Sequence, residues 1–310
     1  MTPRQPRGTA LALRDPFAWD DLVGLVREAE TLGYTGLFLP EISGRDAFAT
    51  LTGLAGETHD LALATGIAPM TSRRPFTTAM GAATVQERSG GRMVLGLGTG
   101  PAVPGALKDL RAQVVDLRAV LGGGEDLSPD RRLSLPLPGQ VPVWISALGP
   151  RAVDAAGEVA DGVLLNWCTP ERVSEARLAL RAAATAAGRD PDQITIAVYV
   201  RASLGADKEA ARLALKTAAG EYAGYPPYAR QFAAMGLAEG AGAAARAARP
   251  SDVPDDFVDA ICLPGEAEAA ATRLDAFRAA GADVVVVYPV AAGPDGVSSV
   301  DDTLRALAPG

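Results

Sequence analysis

Asp283-Val284-Val285-Val286-Val287-Tyr288 is the stretch that decides the architecture. Its four successive valines are the most strongly β-forming run in the chain, and no polar residue alternates with them. A strand that is apolar on both faces is buried on both faces, which is the pattern of a parallel sheet covered by helices. Seven earlier runs repeat it: Thr9-Ala10-Leu11-Ala12-Leu13, Gly36-Leu37-Phe38-Leu39, and the stretches 61–67, 92–97, 141–146, 162–165 and 194–200.

Segments of helical period separate these runs. The first is predicted to start at Asp15 and Pro16, to carry its apolar positions at Leu22, Leu25, Val26, Ala29 and Leu32, and to end at Gly33. Others are predicted over about 46–57, 75–87, 105–121, 149–157 and 170–187. An Ala-rich region over about 206–280 is mostly helical, with breaks at Gly224-Tyr225-Pro226-Pro227 and at Pro250. A last helix is predicted from Ser298, with Asp301 completing a capping box.

Eight strand–helix units in 310 residues predict an α/β fold, a (β/α)8 TIM barrel rather than a doubly wound sheet, with a helical insertion between strands seven and eight. No linker of flexible composition interrupts the chain. Gly122-Gly123-Gly124 and 128–140 read as a connection before strand five, so 1–310 is expected to be one domain, its insertion over about 206–280.

Composition removes several kinds of chemistry. The net charge of −8 supplies no basic footprint for nucleic acid. Two cysteines make no disulfide framework, and a single histidine argues against zinc enzymes and Ser-His-Asp hydrolases. Met1 to Arg7 is polar and does not read as a signal peptide, and no apolar run is long enough to span a membrane. A cytoplasmic protein acting on a small molecule, with no metal, is the expectation.

In such barrels the chemistry sits on the loops that follow the strands. His59 precedes strand three and falls on the opposite rim. Glu41 follows strand two; Arg73 and Arg74 follow strand three; Asn166, Trp167 and Cys168 follow strand six. Gly96-Leu97-Gly98-Thr99-Gly100 fails the dinucleotide-binding spacing, because Pro101 stands where a third glycine belongs. Its glycines serve either a tight turn or the approach of backbone N–H groups to an anionic or polyhydroxyl ligand. Ala147-Leu148-Gly149-Pro150-Arg151 opens a helix with a proline and a cation, which is either an ordinary helix start or a phosphate site.

Several of these pieces together resemble the luciferase-like flavin/deazaflavin oxidoreductase superfamily. The matching stretches are Leu63-Ala64-Thr65-Gly66-Ile67, Arg74-Pro75-Phe76, 84–100, 141–151 and Ala160-Asp161-Gly162-Val163-Leu164-Leu165-Asn166-Trp167. The resemblance covers about residues 8–205 and, less clearly, the final strand. It implies a barrel of the bacterial-luciferase type that holds coenzyme F420, or alternatively FMN, at the strand C-termini. The deazaflavin branch is the more similar one, and it implies a cis peptide at Gly66–Ile67 behind the tricyclic ring. The same resemblance assigns the ribityl chain and phosphate to Gly98, Thr99 and Gly100 and to Ser146, Ala147, Leu148, Gly149, Pro150 and Arg151, with Asn166 beside them. A homodimer is common in the family.

Two departures bear on the substrate. The family's sugar-phosphate dehydrogenases carry Asp-His after strand two and a glutamate after the Gly-Thr-Gly turn, where this chain has Pro40-Glu41 and Pro101. With no histidine on that face, Glu41 is the expected acid/base. Trp167 and Arg73 are expected in the substrate pocket, although Arg73 can equally pair with Glu41. The expected reaction is hydride transfer between the deazaflavin and an activated C=C, C=N or alcohol. The alternatives are an FMN-dependent two-component monooxygenase and a cofactor-free binding or scaffold barrel.

Overall fold

The computed structural model describes residues 6–14, 17–100, 103–124, 126–205 and 207–309. Its elements in chain order are β1 (Gly8–Ala12), α1 (Trp19–Thr31), β2 (Gly36–Leu39), α2 (Ala47–Leu54), β3 (Ala62–Thr65), β4 (Ala68–Pro69), α3 (Pro75–Arg88) and β5 (Met93–Gly98). There follow α4 (Ala106–Leu121), β6 (Val143–Ala147), α5 (Pro150–Val159), β7 (Gly162–Asn166), α6 (Pro170–Ala186) and β8 (Thr195–Ser203). The last part comprises α7 (Lys208–Ala223), α8 (Pro226–Ala234), α9 (Ala238–Arg246), α10 (Asp255–Ile261), β9 (Cys262–Pro264), α11 (Ala267–Ala279), β10 (Val284–Pro289) and α12 (Gly296–Ala306). β4 and β9 are short additions on β5 and β8. The remaining strands run parallel in chain order, and β10 pairs with both β1 and β8, so the barrel closes.

The valine run shows why its strand is apolar throughout. Val284 and Val286 point into the barrel, while Val285 and Val287 pack outward among the helices. The interior is filled mostly by alanines and a few large rings. Ala10, Ala12, Ala62, Ala64 and Ala197 leave room for Phe38 and Trp144, whose ring centroids lie 5.8 Å apart. Gly162 is part of the same fit, since a Cβ there would come within 2.5 Å of the Trp144 indole. Above them Tyr199 stands edge-on to Phe38 at 6.2 Å and to Tyr288 at 5.2 Å, carrying the aromatic column to the C-terminal mouth.

The opposite rim is sealed by satisfied polar groups. Glu30 accepts the backbone N–H groups of His59, Asp60 and Leu61, which hold its carboxyl below the usual range although partial burial acts the other way. His59 itself is exposed there, as its place before strand three predicts. Asp161 and Asp283 take the backbone N–H groups of Val143 and Ile196.

Some predicted boundaries move. Asp15 and Pro16 lie outside the described residues, and α1 is helical from Trp19. The fifth predicted strand is shorter at its start, because Pro142 has no N–H for the ladder. The final capping box is displaced: Asp295 caps α12 by accepting from Ser298 N at 3.0 Å, while Asp301 pairs with Arg305.

Candidate active site

The C-terminal mouth is built around an interruption of the third barrel strand. After β3 the chain swings out at Gly66-Ile67 and returns as β4. The expected cis peptide is absent: every peptide bond among the described residues is trans, Gly66–Ile67 included. Hydrogen bonds to β2 and the residues after it hold the bulge instead, with Gly66 N donating to Leu39 O at 2.8 Å and Glu41 N to Ile67 O at 3.0 Å. Gly66 has no room for a side chain, since a Cβ would lie 2.3 Å from Tyr199 Oη and 2.7 Å from Pro40 N.

A cavity of about 420 Å³ opens beside this bulge. Ile67 lines it from the bulge, Thr99 and Gly100 from the turn after β5, and residues 146–149 from the end of β6. Leu164, Asn166 and Tyr199 complete the barrel side, and Tyr225, Pro226, Pro227 and Tyr228 cover it from the start of α8. The helix break at 224–227 thus supplies the lid. Gly98 lies just behind the lining, where a Cβ would strike Ile67 Cδ1 at 2.6 Å. Among the described residues Tyr199 Oη has no hydrogen-bond partner, and burial pushes its pKa well above the ordinary phenol value, so it stays protonated.

A second cavity, of about 520 Å³, shares Thr99, Leu107, Gly149 and Ala152 with the first, so the two form one groove. Here Pro150 and Arg151 open α5, which has Gly149 as N-cap and no side chain satisfying its first N–H groups. Lys108, Arg151 and Arg230 face this part of the groove. None of the three pairs with a carboxylate among the described residues, whereas Arg111 is held by Glu158.

Three expected site residues, Glu41, Arg73 and Trp167, lie outside the lining of this groove. Glu41 is outside the cavity lining; its carboxylate accepts from Arg73, from Ala47 N at 3.1 Å and from Ser72 Oγ at 3.4 Å. Arg73 also bonds Asp46 and lies 5.0 Å from the Phe48 ring. Burial acts to lower the Arg73 pKa, but these two carboxylates hold it above the ordinary arginine value. Trp167 is buried and lines a third, smaller cavity with Arg201, Tyr222 and Tyr288.

A family model described as luciferase-like monooxygenase matches residues 1–106 and 107–284. The chain belongs to this family. A 5,10-methylenetetrahydromethanopterin reductase of Archaeoglobus fulgidus is 28% identical over 305 residues, covering 89% of this chain and 91% of that protein. Its counterpart in Methanolobus tindarius is 32% identical over 200 residues, 59% of this chain and 61% of that protein's length. The coenzyme F420 dependent tetrahydromethanopterin reductase of Methanopyrus kandleri shares the fold, with a TM-score of 0.78 at 22% identity over 98% of this chain and 99% of that one. Among the described residues of this luciferase-like enzyme, no helix is long and apolar enough to cross a membrane.

Tyr199, Tyr228, Arg201 and Arg230 escaped the reading of the sequence. Tyr199 sits within a run read as core, and Arg201 immediately after it. The available signal was their i, i+2 spacing at the C-terminal end of a barrel strand, which puts both on one face. Cys168 and Cys262 are buried, which pushes both thiols up to about 12. At pH 8 a disulfide-exchange reagent is expected to titrate neither in the native enzyme and both in denaturant; rapid reaction of either native thiol would contradict their burial. Because the shift favours the neutral form, its stabilisation is full below about pH 8.5 and is lost as pH rises towards the folded value.

Proposed function

We propose that this enzyme is a coenzyme F420-dependent oxidoreductase, transferring a hydride between the deazaflavin and a small organic substrate bearing an activated C=C, C=N or alcohol. One observation supports the reading: a largely apolar cavity shares its wall with a groove faced by Lys108, Arg151 and Arg230, none of which pairs with a carboxylate among the described residues. A flat ring fits the first part. A tail bearing several negative charges suits the second better than the single phosphate of FMN does.

Bound there, the deazaflavin would supply a two-electron hydride carrier that reacts poorly with oxygen. The chain's own residues bind and orient it. Ile67 and Ser146 flank the ring cavity, the α5 N–H groups with Lys108, Arg151 and Arg230 hold the anions, and Tyr225 to Tyr228 exclude water. Tyr199 lines the cavity, and its buried hydroxyl, without a partner among the described residues, is the hydrogen-bond donor we assign to a carbonyl or developing oxyanion. In this reading Glu41 anchors the loop after β2 through Arg73, and Tyr199 makes the proton-bearing contact.

The test is anaerobic oxidation of reduced F420 against a panel of enones, imines and ketones, with reduced FMN in parallel. Turnover with F420 alone is the expected result; turnover with FMN and oxygen alone replaces the reading with a monooxygenase. Reversing charge at Arg151→Glu and Arg230→Glu together is expected to weaken F420 binding about 30-fold or more, with steep salt dependence in the parent enzyme. An unchanged Kd would remove the groove from the binding site.

A further inference from the structure

Arg201, on β8 at the barrel mouth, is 3% exposed. Its guanidinium carbon lies 4.2 Å from the ring centroid of Trp167, 4.5 Å from that of Tyr288, 5.4 Å from Tyr222 and 5.6 Å from Tyr199. Among the described residues its single hydrogen bond goes to Asn166 Oδ1, and no carboxylate pairs with it. A guanidinium carries five N–H donors, so most of its hydrogen-bonding capacity is unused. Arg92 shows how the same chain treats a buried arginine that serves structure. At 5% exposure it donates to the carbonyl oxygens of Ala55, Thr58, Leu61 and Ser89 and to Thr58 Oγ1.

A buried charge normally has a partner, because desolvation is otherwise uncompensated. Ring faces meet part of that need at Arg201. The rest points to a ligand, since a cavity of about 150 Å³ lies against the guanidinium. Arg14 lines it as a second cation, and among the described residues no carboxylate lines it. Glu221, whose charge reaches Tyr288, is exposed and accepts from Tyr225 Oη at 3.2 Å. Trp167 lines the same cavity, and its buried Nε1 has no acceptor among the described residues. Trp167 is also the one non-glycine residue with positive φ among those described, at 53°. Gln231 Nε2 holds this turn by donating to Asn166 O at 2.6 Å and Trp167 O at 2.7 Å. Strained turns of this kind cluster at active sites and ligand clamps.

We propose that this cavity anchors the substrate by a carboxylate, held by the Arg201 fork with Trp167 Nε1 beside it, so that the substrate is a small organic acid. The assignment rests on the deazaflavin reading for the reaction, and the subsite adjoins the ring cavity across Tyr199 and Asn166. A guanidinium matches the planar carboxylate with two parallel bonds. The cavity, about 150 Å³, suits a small acyl unit.

The test titrates the unmodified enzyme at pH 7 and constant ionic strength with acetate, propionate, acrylate and crotonate, each beside its primary amide, and with inorganic phosphate. Tryptophan fluorescence reports binding, and F420 absorbance is titrated separately on the same sample. At least one acid is expected to bind tenfold or more tighter than its amide and tighter than phosphate, a preference that Arg201→Lys abolishes. A preference under tenfold for every pair, tighter phosphate binding, or an unchanged preference in a folded Arg201→Lys variant overturns the proposal. The acid–amide comparison decides alone if the variant does not fold. F420 binding without acid preference overturns only the anchor; acid preference without F420 binding overturns only the deazaflavin reading.

Discussion

Replacing Tyr199 with phenylalanine is expected to lower kcat about a hundredfold while leaving the deazaflavin Kd within threefold. The substitution removes one oxygen and keeps the ring, so the edge-on contacts to Phe38 and Tyr288 survive. The lost hydroxyl is buried and without a partner among the described residues, on a side chain that lines the cavity, and removal of one preorganised donor typically costs about 10²–10³ in turnover. Folding stability should hold or rise slightly, because a buried polar atom without a partner disappears. Glu41→Gln is the companion measurement. The amide can still accept from Ala47 N but loses the ion pair with Arg73, so thermal stability should fall while kcat stays within threefold. The reverse pattern, a silent Tyr199→Phe and a dead Glu41→Gln, would return the proton to the carboxylate.

Trp144→Ala is expected to destabilise the fold by about 3–5 kcal/mol, read as a lower denaturation midpoint in urea. The indole is 1% exposed on the barrel axis and packs directly against Gly162 and Phe38. Parallel strands hold the surrounding wall in register on both sides of Trp144, at Gly96 and Gly162, so the cavity left behind has little freedom to collapse. Leu178→Ala serves as the control, since that side chain is 69% exposed and its loss should move stability by no more than about 0.5 kcal/mol. Equal effects at the two positions would mean that the interior column does not bear the barrel.

The barrel was legible because continuous runs such as 283–288 can be buried only between a filled interior and a helical shell. The loops after strands four and five were legible for a related reason: glycines and a helix-opening proline restrict what Gly98-Thr99-Gly100 and Gly149-Pro150 can do. Tyr199 and Arg201 were not, since which face of a strand points inward depends on register with neighbours that no local pattern specifies. Arg230 lies in an Ala-rich helix whose approach to α5 is a matter of tertiary packing. Glu41 illustrates the converse. Its position after strand two was read correctly, but its commitment to Arg73 and the α2 N-terminus depends on where the β3–β4 bulge turns.

The groove from Ile67 to Arg230 is proposed to receive the deazaflavin. Equilibrium titration of the purified chain with F420, followed by its absorbance and repeated with FMN as competitor, decides this. Saturable one-to-one F420 binding that excess FMN does not displace is the predicted result. Saturable FMN binding with no affinity for F420 would contradict it.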